Sequence, residues 1–293
     1  MNILSIIVTY NRKVLLEECI NSLKKQNNVS TDIFVVDNNS TDGTEKMISE
    51  KFPDIFYVNT NKNLGGAGGF NYGIKKAFNL KKKYDYFWIM DDDTIPNNNS
   101  LYEIMKVVEK DANFGFISPK TIWKDGSLCL MNRQSDLEKK LIDANTRNMT
   151  KLKRCTFVAC FLNTKAILDV GLPIKEFFIW ADDTEYTQRI SEKYNCYYAG
   201  DSIVVHKMNQ NTGVNIENDN FDRIDRYFYL FINKYYIAKK ERIWWYLWYH
   251  KYILKNLYNV LVKSKNYRSK RIKIIFKGYF AGCKFNPKIE KIE

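Results

Sequence analysis

The 293 residues are 45% hydrophobic and 15% aromatic, sufficient for one large folded unit or one unit with an appendage. The formal charge of +13 is unevenly placed: residues 1–220 carry 28 Lys and Arg against 28 Asp and Glu, whereas 221–293 carry 18 against 5. This excludes a polyanion-binding surface spread over the whole chain, and it predicts a domain boundary near residue 220.

Three further absences narrow the class. The six cysteines include no C-x-x-C pair and there are two histidines, so neither a zinc site nor a disulfide framework is expected, and a reducing cytosol is the expected compartment. Met1-Asn2-Ile3 enters a strand pattern at once, so no secretory leader is expected. No apolar run approaches the roughly 18–20 residues of a membrane span.

Ile3 to Val8 is a continuous apolar run, the pattern of a strand buried on both faces. It ends in Thr9-Tyr10-Asn11-Arg12, and a helical pattern follows from Val14 to Lys25. Ile33 to Val36 is a second strand, ending in the polar loop Asp37 to Thr44. Ile55 to Val58 is a third. Asn63-Leu64-Gly65-Gly66-Ala67-Gly68-Gly69-Phe70 then opens a helix running to about Phe78. Tyr86 to Met90 is the fourth strand, followed directly by Asp91-Asp92-Asp93. Strand–helix alternation predicts an α/β fold with a mainly parallel sheet, in which ligands sit at the carboxyl ends of the strands. The glycine cluster is not a dinucleotide fingerprint, because that motif follows the first strand, and here the first strand is followed by no glycine.

Beyond Asp111 the pattern loosens. Phe116 to Ser118 and Lys120 to Trp123 read as short strands, 132–153 as a mobile polar loop, and Thr156 to Leu162 as a buried strand. Ala166 to Val170 reads as a helical turn. Phe177 to Trp180 leads into Asp182-Asp183-Thr184-Glu185, at the start of a helix reaching about Lys193. Acidic residues suit a first helical turn, but three carboxylates in four residues exceed what capping requires. Cys196 to Ala199 and Ile203 to Val205 read as strands ending at His206.

Adjacent carboxylates repel one another, and a divalent cation relieves that repulsion. Oxygen ligands suit Mg²⁺ or Mn²⁺, whose remaining positions go to water and substrate phosphates. The Asp triplet therefore reads as a seat for a metal–phosphate group. A histidine at the end of a strand in an acid-lined fold, His206, is a further ligand candidate.

Together these stretches resemble an inverting family-2 glycosyltransferase with a GT-A fold. The likeness rests on Val8 to Arg12, Val36 to Thr44, Asn63 to Phe70, Asp91 to Asp93, Trp180 to Glu185, and His206, in the family's order over roughly 3–207. Within the family the glycine loop and the two acidic clusters are most similar to galactofuranosyltransferases, and next to rhamnosyltransferases. The chain is shorter than the polymerising members, which counts against polymerase activity. The resemblance implies a GT-A unit over 1–220, its nucleotide half about 1–115 and its acceptor half about 116–220. It implies that Thr9, Asn11, Arg12 and Asp37 hold the nucleoside of a UDP-sugar, or a dTDP-sugar on the second reading. Asn63 and Gly66 line the same pocket and Asp92 lies towards the ribose. Asp91, Asp93 and His206 hold Mn²⁺ or Mg²⁺. Asp183 is the expected general base with Asp182 beside it, and Trp180 and Glu185 meet a glycan or glycolipid acceptor. From the residues alone, either Asp182 or Asp183 could face the acceptor.

Residues 221–293 are aromatic, basic and helical in pattern. Lys251, Lys255, Asn259 and Lys263 recur every four residues as a polar stripe on an otherwise apolar helix. One reading packs these helices on the catalytic unit with the stripe in water. The other lays them on an anionic membrane at the inner face of the cell membrane. A rival class, a nucleic-acid-binding protein, finds no motif, and two acidic clusters in the neutral part oppose it.

Overall fold

The structure is a computed structural model, and it describes every residue except 133, 138, 139, 144, 145, 147, 242 and 293. Four strands form the first half of one sheet: β1 (Ile3–Thr9), β2 (Asp32–Asp37), β3 (Phe56–Asn59) and β4 (Tyr86–Asp91), in the spatial order β3-β2-β1-β4 and all parallel. Helices α1 (Lys13–Lys24), α2 (Thr44–Lys51) and α3 (Gly65–Phe78) connect them. All seven residues of β1 are buried because both faces are covered. Ile3 and Ile7 join the apolar layer of Leu16, Ile20, Met47 and Trp88. Leu4, Ile6 and Val8 join that of Phe70, Ile74 and Phe87. The two-residue period of the strand sends alternate side chains to opposite layers.

The second half departs from the mainly parallel expectation. After the short β5 (Thr94–Pro96) and α4 (Ser100–Lys110) come β6 (Phe116–Trp123), β7 (Thr150–Lys151), β8 (Ala159–Asn163), α5 (Thr164–Val170), α6 (Asp182–Ser191) and β9 (Tyr197–His206). β8 lies antiparallel between β4 and β6, β6 and β9 are parallel, and β5 and β7 run antiparallel to β9. The sheet is mixed. A strand buried at every position, as β8 is, has the same apolar run whichever way it points.

Three local expectations also change. The paired short strands at 116–123 and at 196–205 are single strands, β6 and β9, whose register shifts after Pro119 where β9 carries Gly200, Asp201 and Ser202. The buried strand expected from Thr156 begins at Ala159. The stretch expected as a mobile loop lies partly outside the described residues. Its described part is anchored: Gln134 donates to Ser118 Oγ, Ile142 and Leu152 are buried, and β7 pairs with β9.

Helices α7 (Tyr227–Lys240), α8 (Ile243–Lys263) and α9 (Arg268–Lys284) bury Phe231, Tyr249, Ile253, Val260 and Ile275 among themselves. The rest of α8 corrects the expected stripe. Lys251, Lys255 and Lys263 are exposed, but so are Trp244, Leu247, Leu254, Tyr258 and Leu261. The chain then returns to the sheet unit: Phe285 packs on Phe177 and Tyr236, and Glu290 O accepts from Leu172 N at 2.8 Å.

The glycines of α3 mostly serve packing. A Cβ on Gly73 would lie 2.7 Å from Val36 Cγ2 and 3.0 Å from Ile6 Cγ2, whereas one on Gly66 meets nothing within 4 Å. Gly73→Ala is therefore expected to lower the unfolding free energy by about 1–3 kcal/mol through overpacking. Gly66→Ala should leave it within about 0.5 kcal/mol. Urea denaturation checks this, and equal midpoints for the two variants would contradict the packing account.

Candidate active site

The parallel strands end together. Register places Val8 beside Asp91 and Thr9 beside Asp37, so the polar residues after β1, β2 and β4 share one rim of the sheet. At that rim Thr9 Oγ1 donates to Asp92 Oδ2 at 2.8 Å. Arg12 Nη1 donates to Asp92 Oδ1 at 3.2 Å and to Asp93 Oδ2 at 2.6 Å.

β5, only three residues long and ending in Pro96, has a decisive role. It pairs Thr94 with His206, and Lys207 N donates to Asp93 O at 2.8 Å. Residues 113 positions apart are thereby joined, with His206 Nε2 3.1 Å from Asp93 Oδ1. One donor atom each from Asp91, Asp93 and His206 lies within 4.8 Å of the others, which fits a divalent cation. Two carboxylates with an imidazole form a donor set that a divalent cation can accept. Buried Asn132 faces the other ring nitrogen, its Oδ1 2.7 Å from Nδ1. Asn132 thus accepts the Nδ1 proton, and a metal at this site would displace the proton that Nε2 shares with Asp93.

Charge is concentrated and desolvated here. Burial pushes Asp91 up to about 6, with the charge of Asp93 adding to it. Burial pushes Asp92 up to about 7 against the pull of Arg12. Burial acts upward on Asp93 too, but bonds from His206 and Arg12 hold it below the usual carboxylate range. The same pairing lifts His206 to about 10 although burial opposes its charged form.

The neighbouring loops are tied to one another. Asn11, at φ 53°, accepts from Thr41 N at 2.7 Å, and its own N–H donates to Ser40 Oγ at 2.8 Å. Asp37 is fully buried and receives Ser40 N and Tyr57 OH, each at 2.8 Å, so both its oxygens serve the loop wall. Asn63 Oδ1 accepts from Gly65 N at 2.8 Å and shapes the entry to α3, where Gly66 borders open space. Gly65 is required: at φ +69° its Cβ would meet the Phe178 carbonyl at 2.2 Å.

That contact joins the glycine loop to the stretch that leads into the second acidic cluster. Phe178, Trp180 and Ala181 all have φ between 60° and 65°, a run of left-handed non-glycine backbone just before α6. Such strain persists where surrounding structure holds it. The holder is Asn233 of α7, fully buried, whose Nδ2 donates to the carbonyls of Phe177 (2.9 Å), Ile179 (3.2 Å) and Trp180 (2.8 Å). Trp180 stacks edge-on against Tyr227 at 4.9 Å.

In the first turn of α6 burial pushes Asp182 up to about 8, with the charge of Asp183 adding. Burial pushes Asp183 up to about 6 against the bonds it accepts from Thr184. The charge of Asp183 raises Asp91, and that of Asp91 raises Asp182, so the two clusters sense each other. Glu185, expected to meet an acceptor, is engaged within its own helix. It is buried and bound through both oxygens to Arg189, at 3.1 and 2.9 Å, so it anchors α6. Sequence reading missed Asn132 and Asn233, since a lone Asn carries no periodic or motif signal.

Residues 5–170 match the family model described as Glycosyl transferase family 2. The chain is 26% identical over 115 residues to the galactofuranosyltransferase GlfT1 of Mycolicibacterium smegmatis, covering 39% of this chain and 37% of that one. It is 36% identical over 114 residues to the abequosyltransferase RfbV of Salmonella typhimurium, covering 36% and 32%. It is 24% identical over 171 residues to a poly-beta-1,6-N-acetyl-D-glucosamine synthase of Staphylococcus aureus, covering 57% and 40%. The matches thus span between about a third and two-fifths of these curated relatives. Among solved structures, S. aureus TarS superposes with a TM-score of 0.59 at 15% identity, over 90% of this chain and 44% of that one. The mannosyltransferase PcManGT of Pyrobaculum calidifontis, in complex with GDP-Man and Mn²⁺, gives 0.57 at 17% identity, over 97% and 76%. These structures share the GT-A fold.

Two expectations follow. Asn132→Ala should weaken Mn²⁺ binding about 10–100-fold, as loss of a partner to a metal-binding histidine does. Calorimetric titration with Mn²⁺ reads this, and unchanged affinity would remove Asn132 from the site. Asn233→Ala should reduce transfer by about 100-fold through misplacement of the Trp180–Asp183 loop, with nucleotide affinity kept. Unaltered turnover would show that the loop is held by other contacts.

Proposed function

The chain belongs to glycosyltransferase family 2, and from that premise we propose that it moves galactofuranose from UDP-galactofuranose to a hydroxyl of a glycan or glycolipid acceptor, with inversion at the anomeric carbon. The observation that supports this reading is the Asp91–Asp93–His206 donor set lying close enough to the carboxylates of α6 for their charges to act on one another. A divalent ion held by that set, Mn²⁺ or Mg²⁺, supplies charge neutralisation for the diphosphate leaving group.

The other parts belong to the chain. Thr9, Asn11, Arg12, Asp37, Asn63, Gly66 and Asp92 bind the nucleotide sugar, the buried Asp37 by shaping the loop that meets it. Trp180 offers a ring for the acceptor sugar to lie against. Asp183 takes the proton of the attacking hydroxyl, and its raised pKa makes it a better base than an ordinary carboxylate. Asp182 is kept largely protonated below about pH 8 and shares the site as a hydrogen-bond donor. One displacement with one base inverts the configuration. The enzyme serves polysaccharide synthesis on the cytoplasmic side, at the inner face of the cell membrane.

A dTDP-rhamnose donor is the second reading. The abequosyltransferase relative is more identical over its stretch than the galactofuranosyltransferase, so identity does not single out galactofuranose.

Asp183→Asn is expected to lower turnover about 10²–10⁴-fold, the usual contribution of a general base, while UDP binding persists. Asp93→Ala should abolish the metal dependence of UDP binding itself. In the wild type, transfer rises with pH through about 6 as Asp183 ionises, because a base works only when deprotonated. Equal loss of nucleotide binding in both variants, or a rate that falls as pH rises from 5 to about 7, would refute this division of roles.

A further inference from the structure

No helix among the described residues is long and apolar enough to cross a membrane. Yet the outward side of the helical region is not an ordinary solvated surface. Successive helical residues turn by about 100°, which brings Ile243, Trp244, Leu247, Trp248, Leu254, Tyr258, Leu261 and Val262 of α8 into one arc of about 140°. All of them are exposed, Trp244 at 74%, Leu254 at 66% and Tyr258 at 62%. The opposite side of the helix carries the buried Tyr249, Ile253, Asn256 and Val260. On α9, Phe276 and the 63%-exposed Phe280 face outward one turn apart. Contiguous large apolar side chains of this extent mark a surface with a partner.

The charge says which partner. Residues 243–284 contain ten Lys and Arg and no Asp or Glu. Lys251 and Lys255 lie inside the apolar arc of α8, and Lys273, Lys277 and Lys284 are exposed on α9 beside the two phenylalanines. None of these five has an ion-pair partner among the described residues. A second copy of the chain would set like charges against each other. A nucleic acid would accept the cations but has no use for Leu254, Leu261 and Val262. An anionic phospholipid surface takes both, with apolar side chains among the acyl chains and ammonium groups at the phosphates.

We infer that the exposed arc of α8, with Phe276 and Phe280 of α9, is a docking face for an anionic phospholipid bilayer. It deepens the transferase reading by naming the surface that meets the membrane. α7 links this face to the chemistry: its Phe231 and Tyr235 pack against α8 and α9, and its Asn233 holds the Phe177–Trp180 carbonyls. A bilayer-bound enzyme therefore keeps its acceptor loop next to the helices that touch lipid.

The test is co-sedimentation of the full chain with vesicles of phosphatidylcholine alone and of phosphatidylcholine with phosphatidylglycerol, at low and high salt. The wild type is expected to sediment with the anionic vesicles alone and to release in salt. A variant combining Leu247→Ser, Leu254→Ser and Leu261→Ser should bind about 100-fold more weakly or worse, with its circular dichroism and UDP titration unchanged. Should that variant unfold, Lys251→Gln with Lys255→Gln gives the second reading, about fivefold weaker for each lysine. Wild type left in the supernatant would overturn the proposal. So would serine and wild-type proteins that sediment alike while both bind duplex DNA, which assigns the cations to nucleic acid. Vesicle binding and UDP binding are read separately, so failure of one leaves the other standing.

Discussion

Asp93 accepts from His206 on one side, at 3.1 Å, and from Arg12 on the other, at 2.6 Å. Most of the site depends on this bridge. It links the loop after β1, the turn after β4 and the end of β9, which are distant in sequence. It also supplies positive charge where the half-buried Asp91 and the buried Asp92 and Asp93 would otherwise repel one another. Removing one partner from the buried His206–Asp93 pair costs about 3–5 kcal/mol, because the remaining charge is stranded, whereas the half-exposed Arg12 is screened by solvent and contributes less. The chain's own cations hold the carboxylates together only partly, as the raised pKa values of Asp91 and Asp92 record. A divalent ion held by the same side chains would complete the neutralisation.

A second constraint acts on the acceptor side. The backbone from Phe178 to Ala181 is left-handed at three of four residues and is held there by one buried amide, Asn233. The same turn presses on Gly65, so α3, the strained loop and α7 fit only as a set. The helical region is consequently part of the site's construction, and the returning C-terminal segment, through Phe285 and Glu290, ties it down again.

Much of this was legible in the sequence, and the reasons are local. Runs such as Ile3 to Val8 announce a strand buried on both faces, and three carboxylates after an aromatic run announce a charged rim. The unreadable parts depended on tertiary pairing. β8 reads the same in either direction. β5 is three residues long and contains a proline, yet it delivers His206 to Asp93. Asn132 and Asn233 act through single hydrogen bonds that no spacing reveals. Glu185 sits where an acceptor ligand was expected, but Arg189, one turn along, claims both its oxygens. In α8 the sequence shows a polar stripe on an otherwise apolar helix, and only the packing shows that an apolar arc is left outside with it.

The measurement that bears most directly on the central claim is calorimetric titration of the protein with UDP and with dTDP, each in Mn²⁺ and in EDTA. The account predicts UDP binding that requires the metal and exceeds dTDP binding. Binding of neither nucleotide, or binding indifferent to EDTA, would contradict it.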